Sequence, residues 1–132
     1  FKTSYGKYIA PQEIETRLVL DKYIEQAAVI GDEKPYVTAL IVPDYAALEK
    51  FAAKEMIPFN SREELLENQK ITELIRSRIE NAQKGMANYE MVKKFTLLSQ
   101  AFSIQTGELT NTLKLKRVIV NHQYKLLIDK MY

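Results

Sequence analysis

Two apolar runs, IEQAAVIG at residues 24–31 and YVTALIVP at residues 36–43, stand four residues apart across Asp32, Glu33, Lys34 and Pro35. Each has strand length and is rich in β-branched side chains, and the polar, proline-containing spacer interrupts them sharply. That combination predicts two adjacent core strands paired antiparallel. Whatever else the chain builds must cover such a sheet.

The flanking segments supply the cover. FKTSYGKYI alternates polar and β-prone residues around Gly6, which predicts a small N-terminal hairpin with the glycine at its turn. Pro11 then opens a helix in PQEIETRLVL, with Glu13 and Glu15 in its first turn and Ile14 and Leu18 on one face. Asp44 is placed to cap a second helix whose inner stripe is Leu48, Phe51 and Ala52. Ser61 and Glu64 have capping-box spacing at the head of one long helix running through Ile71, Leu74, Ile75, Ile79, Ala82 and Met86. KFTLLS, residues 94–99, reads as a short strand. A last helix buries Val120, Tyr124, Leu127, Ile128 and Met131 and turns Lys125 and Lys130 outward. The expected fold is therefore α/β (α+β): a small mixed sheet with an N-terminal hairpin, covered by helices, in one domain over residues 1–132.

Composition narrows the function. Nineteen Lys and Arg against seventeen Asp and Glu leave a net charge of +2, which gives no global argument for nucleic acid or an anionic membrane. Cysteine is absent, so disulfides, thiolate metal sites and a cysteine nucleophile are excluded, in keeping with a reducing compartment. No apolar run approaches the ~20 residues of a membrane span. The four glycines, at positions 6, 31, 85 and 107, cannot form a Gly-rich phosphate loop. His122 lies off the apolar stripe of the last helix without a ligand or triad partner at useful spacing, and reads as an exposed bystander. Glu63, Glu64 and Glu67 read as a solvated helix start, where negative charge offsets the dipole; no metal site is expected.

What remains is basic: Lys2 and Lys7 near the start, and GELTNTLKLKR at residues 107–117. Read alone, TLKLKR is an edge strand or loop protected by cations, with Lys114 and Lys116 on one face and Leu113 and Leu115 buried. A nucleic-acid grip needs aromatics interleaved with the cations or a basic helical stripe, and the segment has neither.

FKTSYGKYIAPQEIE at one end and GELTNTLKLKR with a Tyr-containing final helix at the other resemble the C-terminal domain of long-chain acyl-CoA synthetases, members of the AMP-forming adenylating superfamily. QAAVIGD, YVTALIVPD and KKFTLLSQAFS are family-like as well, so the likeness covers essentially the whole chain. The resemblance implies a lid that swings against the protein's own N-terminal adenylation domain, which holds ATP, Mg²⁺ and the fatty acid. The start at Phe1, inside an apparent strand, agrees with a piece of such a longer chain. In one pose a lysine of the C-terminal motif assists attack of the fatty carboxylate on the α-phosphate. In the other, Gly6, flanked by Tyr5 and Lys7, helps shape the tunnel for the CoA thiol. The resemblance further implies a cytoplasmic enzyme capable of peripheral membrane contact, with no nucleic-acid partner.

The superfamily's motif is lysine, an aliphatic residue, any residue, then arginine. Lys114, Leu115, Lys116 and Arg117 fit it with Lys114 as the adenylation lysine, whereas counting forward from Thr112 selects Lys116. Lys114 is preferred because it requires only a shorter loop. Two departures from the family pattern stand out: Asn111 in place of a proline, and Tyr5 in place of a glycine. The alternatives are the lid of an adenylating enzyme with a different acid, and an independent interaction or nucleic-acid-binding module using TLKLKR.

Overall fold

The computed structural model describes all 132 residues. Its centre is a three-stranded sheet in the order β1–β2–β3, with β1 at Ile24–Ile30, β2 at Val37–Pro43 and β3 at Val92–Leu97. β1 and β2 pair antiparallel, Ala28 opposite Leu40 and Ile30 opposite Thr38. β3 adds to β2 in parallel, Ala39 opposite Phe95 and Ile41 opposite Leu97. Every residue of β2 is buried, as a central strand covered on both faces requires.

Alternation along the strands divides the core in two. Ala27, Val29, Ala39 and Ile41 face one cluster with Ile14, Leu18, Leu48, Leu65, Ile71 and Ile75. Ala28, Ile30, Leu40 and Val42 face the other with Leu98, Phe102, Leu109, Val120, Ile128 and Met131. The first cluster is closed by helices α1 (Pro11–Val19), α2 (Tyr45–Lys54), α3 (Arg62–Glu67) and α4 (Gln69–Ala82). The C-terminal segment, with α5 (Arg117–Gln123) and α6 (Lys125–Asp129), closes the second.

Local chemistry places the helix ends. Pro11 stands at the first turn of α1, and Ile14 and Leu18 are its buried residues. The Asp44 carboxylate accepts the Ala47 N–H at 3.1 Å and caps α2, while Ser61 Oγ accepts the Glu64 N–H at 3.1 Å and caps α3. The long helix expected after Ser61 is two helices. Asn68, with ψ 130, leaves the helical region, and its side chain accepts the Lys70 N–H at 2.8 Å to start α4 afresh. The apolar periodicity survives this break because Leu65 and Ile71 still enter the same cluster. α4 ends at Ala82, short of Met86. The buried Gln83 stops it by clamping the chain beyond: its amide donates to the Glu90 carbonyl and accepts the Val92 N–H, both at 2.8 Å. That clamp starts β3 at Val92, two residues before the expected Lys94. The expected last helix is likewise divided, at Tyr124, although Val120, Ile128 and Met131 are buried and Tyr124 and Leu127 pack against their cluster.

The N-terminal hairpin is small. Lys2 bridges Tyr8, Thr3 N–H donates to the Lys7 carbonyl at 2.9 Å, and Gly6 takes φ +80°. It is tied to the β1–β2 turn by bonds from Ser4 N–H to Lys34 O and from Glu33 N–H to Lys2 O. Gly31 lets this happen, since a Cβ there would lie 2.8 Å from the Phe1 ring.

Candidate functional site

The GELTNTLKLKR segment folds as a three-residue hairpin loop. Leu109 and Leu115 bridge antiparallel, Thr110 N–H donates to the Lys114 carbonyl at 2.8 Å, and Leu113 N–H donates to the Thr110 carbonyl at 2.8 Å. Thr110 Oγ1 accepts the Lys114 N–H at 3.1 Å and lies 3.1 Å from the Thr112 hydroxyl. The loop residues are thus Asn111, Thr112 and Leu113, and the last has φ +64°. This is the left-handed position that such loops fill with glycine, and it costs a leucine roughly 1 kcal/mol or more.

The loop corrects one expectation. Leu113 is not buried: it is 67% exposed, and Leu115 is only partly buried. Strand alternation would turn both inward, but the turn ends the alternation at Lys114. Lys114 and Lys116 are both exposed, and neither side chain makes an ion pair, hydrogen bond or ring contact. Their settings differ. Lys114 closes the loop and borders a cleft of about 570 Å³ that also takes in Thr16, Val19, Gln26, Phe102, Ile104 and Leu113. Lys116 caps α5, and its N–H is spent on the Glu108 carbonyl at 2.7 Å.

Two carboxylates that periodicity does not single out anchor the segments on either side of this loop. Glu108 is 3% exposed, and its carboxylate accepts the Ser103 N–H at 3.1 Å, the Thr106 hydroxyl and the Tyr124 hydroxyl at 3.4 Å. Burial alone would raise its pKa, but these bonds together hold it below the ordinary 4.5. Tyr124 shifts upward, through burial first and then through the charge and hydrogen bond of Glu108. The second is Glu15, which takes the Arg117 guanidinium two-pronged at 2.7 and 2.9 Å and also accepts the Val29 N–H at 2.7 Å. This covers an otherwise open amide on the outer edge of β1. The Gln26 side chain, also on β1, holds the Phe102 segment beside it, accepting the Phe102 N–H at 2.7 Å and donating to the Phe102 carbonyl at 3.1 Å. The acid in the first turn of α1 and the arginine ending the basic motif were visible in the sequence; their partnership across 102 positions was not.

Gly6 stands elsewhere, on the hairpin bonded to the β1–β2 turn, so the structure does not bring it into the Lys114 cleft. A Cβ on Gly6 would meet nothing within 4 Å. Tyr5 is 78% exposed and keeps a negative φ, which explains how a glycine can be dispensed with at this position. Lys7 lies over the Tyr89 ring at 5.2 Å and Lys2 over the Tyr8 ring at 5.8 Å. His122 is exposed. No group of three His, Asp or Glu side chains is arranged to hold a metal ion, and no helix is long and apolar enough to cross a membrane.

The family model of the AMP-binding enzyme C-terminal domain matches residues 2–132. The chain belongs to that family. It is 35% identical over its whole length to Long-chain-fatty-acid–CoA ligase 5 of Rattus norvegicus and 33% identical to Long-chain-fatty-acid–CoA ligase 1 of Homo sapiens. It spans only about a fifth of these relatives, 20% and 19% of their lengths. Among solved structures it shares the fold of part of the adenylation domain of a carboxylate reductase from Mycobacterium chelonae. There the TM-score is 0.80 at 24% identity, covering 100% of this chain and 19% of that one.

Proposed function

We propose that this chain is the lid domain of an ATP-dependent, AMP-forming long-chain fatty acid–CoA ligase. The observation that carries the reading is the separation of two exposed, unencumbered groups on two different loops: Lys114 beside the β1-edge cleft and Gly6 on the hairpin at the β1–β2 turn. Two half-reactions at one centre call for two faces of one lid. Identity above 30% to ligases named for long-chain fatty acids, over the full chain, supports the substrate class.

In the first half-reaction the fatty carboxylate attacks the α-phosphate of ATP, and pyrophosphate leaves. Negative charge is shared over carboxylate and phosphoryl oxygens, and the Lys114 ammonium is a compact cation on a flexible stem with no competing partner. In the second, the CoA thiol attacks the acyl adenylate and AMP leaves. Gly6 there offers a backbone with no side chain in the way of a narrow substrate. This chain contributes neither a phosphate-cradling loop nor a metal-ligand cluster, so ATP and Mg²⁺ fall to the larger domain of the full-length protein.

The test is product stoichiometry from that full-length protein. With ATP, Mg²⁺, palmitate and CoA it should release pyrophosphate, AMP and palmitoyl-CoA in equal amounts, and palmitate should be used in preference to acetate and benzoate. ADP as product, or preference for a short or aromatic acid, would contradict the reading.

A further inference from the structure

Leu113 breaks a local rule twice. The last residue of a three-residue hairpin loop is ordinarily glycine, yet this one carries a leucine at φ +64°, and that leucine has no place in either apolar cluster. Local bonds, chiefly those of Thr110 to Lys114 and Leu113, force the backbone into the strained region, so the conformation is built in. Two other non-glycine residues share a positive φ. Glu33 is a polar residue in the β1–β2 turn, and Met56, itself apolar and 81% exposed, follows the end of α2, where its N–H satisfies the Ala53 carbonyl. Leu113 alone of the three adjoins an unpaired lysine and borders the cleft, alongside the partly exposed Val19 and Ile104. A strained backbone and an unburied apolar side chain are both unfavourable in the isolated domain. Such a conflict is expected where a residue serves a state not yet formed.

We infer that Leu113 is the positioning residue of the lysine loop: in the adenylating pose its side chain seats in an apolar hollow of the protein's own larger domain and so fixes the reach of the neighbouring Lys114. The inference rests on the lid reading proposed above. The occupant is assigned to the same protein because this chain spans only a fifth of its relatives' length and Leu113 lines the cleft together with the apolar Val19 and Ile104. Leu113 touches no substrate in this account; it acts through Lys114.

Three substitutions in the full-length protein separate conformation from side chain. Leu113→Gly and Leu113→Asn both accept the left-handed backbone but lose the apolar group, whereas Leu113→Met keeps an apolar group of similar volume and the strain. Thermal stability should be unchanged or higher for Leu113→Gly and Leu113→Asn. Fatty-acid-dependent pyrophosphate release should nevertheless fall roughly tenfold or more in both, since a misplaced catalytic group is costly. Leu113→Met should stay within about threefold of the parent, and CoA transfer to supplied acyl adenylate should be retained in all three. Undiminished pyrophosphate release by Leu113→Gly, equal loss in Leu113→Gly and Leu113→Met, or equal loss in both half-reactions would each overturn the inference. Lys114→Ala assayed in parallel distinguishes the two failures. If it is inactive in adenylation while Leu113→Gly is fully active, only the role of Leu113 falls; if it adenylates normally, the lysine reading falls with it.

Discussion

Glu15 and Arg117, 102 positions apart, form a two-pronged ion pair that joins α1 directly to the start of α5. Because Glu15 also accepts the Val29 N–H, the same carboxylate ties both motif-bearing segments to the edge of the sheet. Lysine cannot reproduce the guanidinium fork, so Arg117→Lys should destabilise the chain by about 1–2 kcal/mol. A denaturant-unfolding cycle with Glu15→Gln should give a coupling of at least about 0.5 kcal/mol. Simple additivity would mean the pair contributes nothing as a pair.

Gly6 has a conformational role that its surroundings separate from its proposed chemical one. Its φ of +80° penalises any Cβ, but the space around it is open. Gly6→Ala and Gly6→Leu should therefore each cost about 1 kcal/mol of stability, nearly independent of side-chain size. In the full-length protein, CoA transfer should instead fall with size, with leucine far worse than alanine, while adenylation is retained. Equal effects of the two substitutions on CoA transfer would reduce Gly6 to a turn residue.

Asn111 occupies the first position of its hairpin loop with a negative φ, and its N–H has no backbone partner. Proline at that position forfeits no hydrogen bond and restricts the unfolded chain. Asn111→Pro should stabilise the domain by about 0.4–1 kcal/mol, measured by thermal or denaturant unfolding. Destabilisation would show that the loop is not the turn described.

Glu108 makes part of the stability pH-dependent. Its pKa is held below the ordinary 4.5 in the folded chain, so its contribution is fully present above that unfolded value, declines as pH falls through the folded value and is gone below it. Glu108→Gln should cost about 1–3 kcal/mol at pH 7, and the gap from the parent should close as the pH is lowered below the ordinary 4.5 and through the folded value. Parallel profiles across that range would contradict the assignment.

Much of the fold is written locally. The runs at residues 24–31 and 36–43, Pro11, Asp44 and Ser61 each act through neighbours a few positions away, and each lies where periodicity and capping put it. The break at Asn68 was harder to see, because the apolar stripe crosses it without a phase error, although Asn is itself a capping residue. Gln83 and Glu108 escaped because their importance lies in backbone groups they reach after folding. The alternation of leucine and lysine over residues 113–116 pointed to a strand and misplaced Leu113, since a three-residue turn ends before Lys114. In the candidate site, residue types and order were legible in the motifs, while the different settings of Lys114 and Lys116 appeared only with the loop's geometry.

The choice between those two lysines is the most direct measurement. Pyrophosphate release and CoA transfer to supplied acyl adenylate are compared for Lys114→Ala and Lys116→Ala in the full-length protein. Loss of one ammonium from the charge developing at the phosphoryl group should slow the first half-reaction of Lys114→Ala on the order of 10²-fold or more and largely spare the second. Lys116→Ala, which leaves the backbone bond to Glu108 in place, should retain both. Failure of adenylation in Lys116→Ala alone, or equal loss in both half-reactions for Lys114→Ala, would contradict the account.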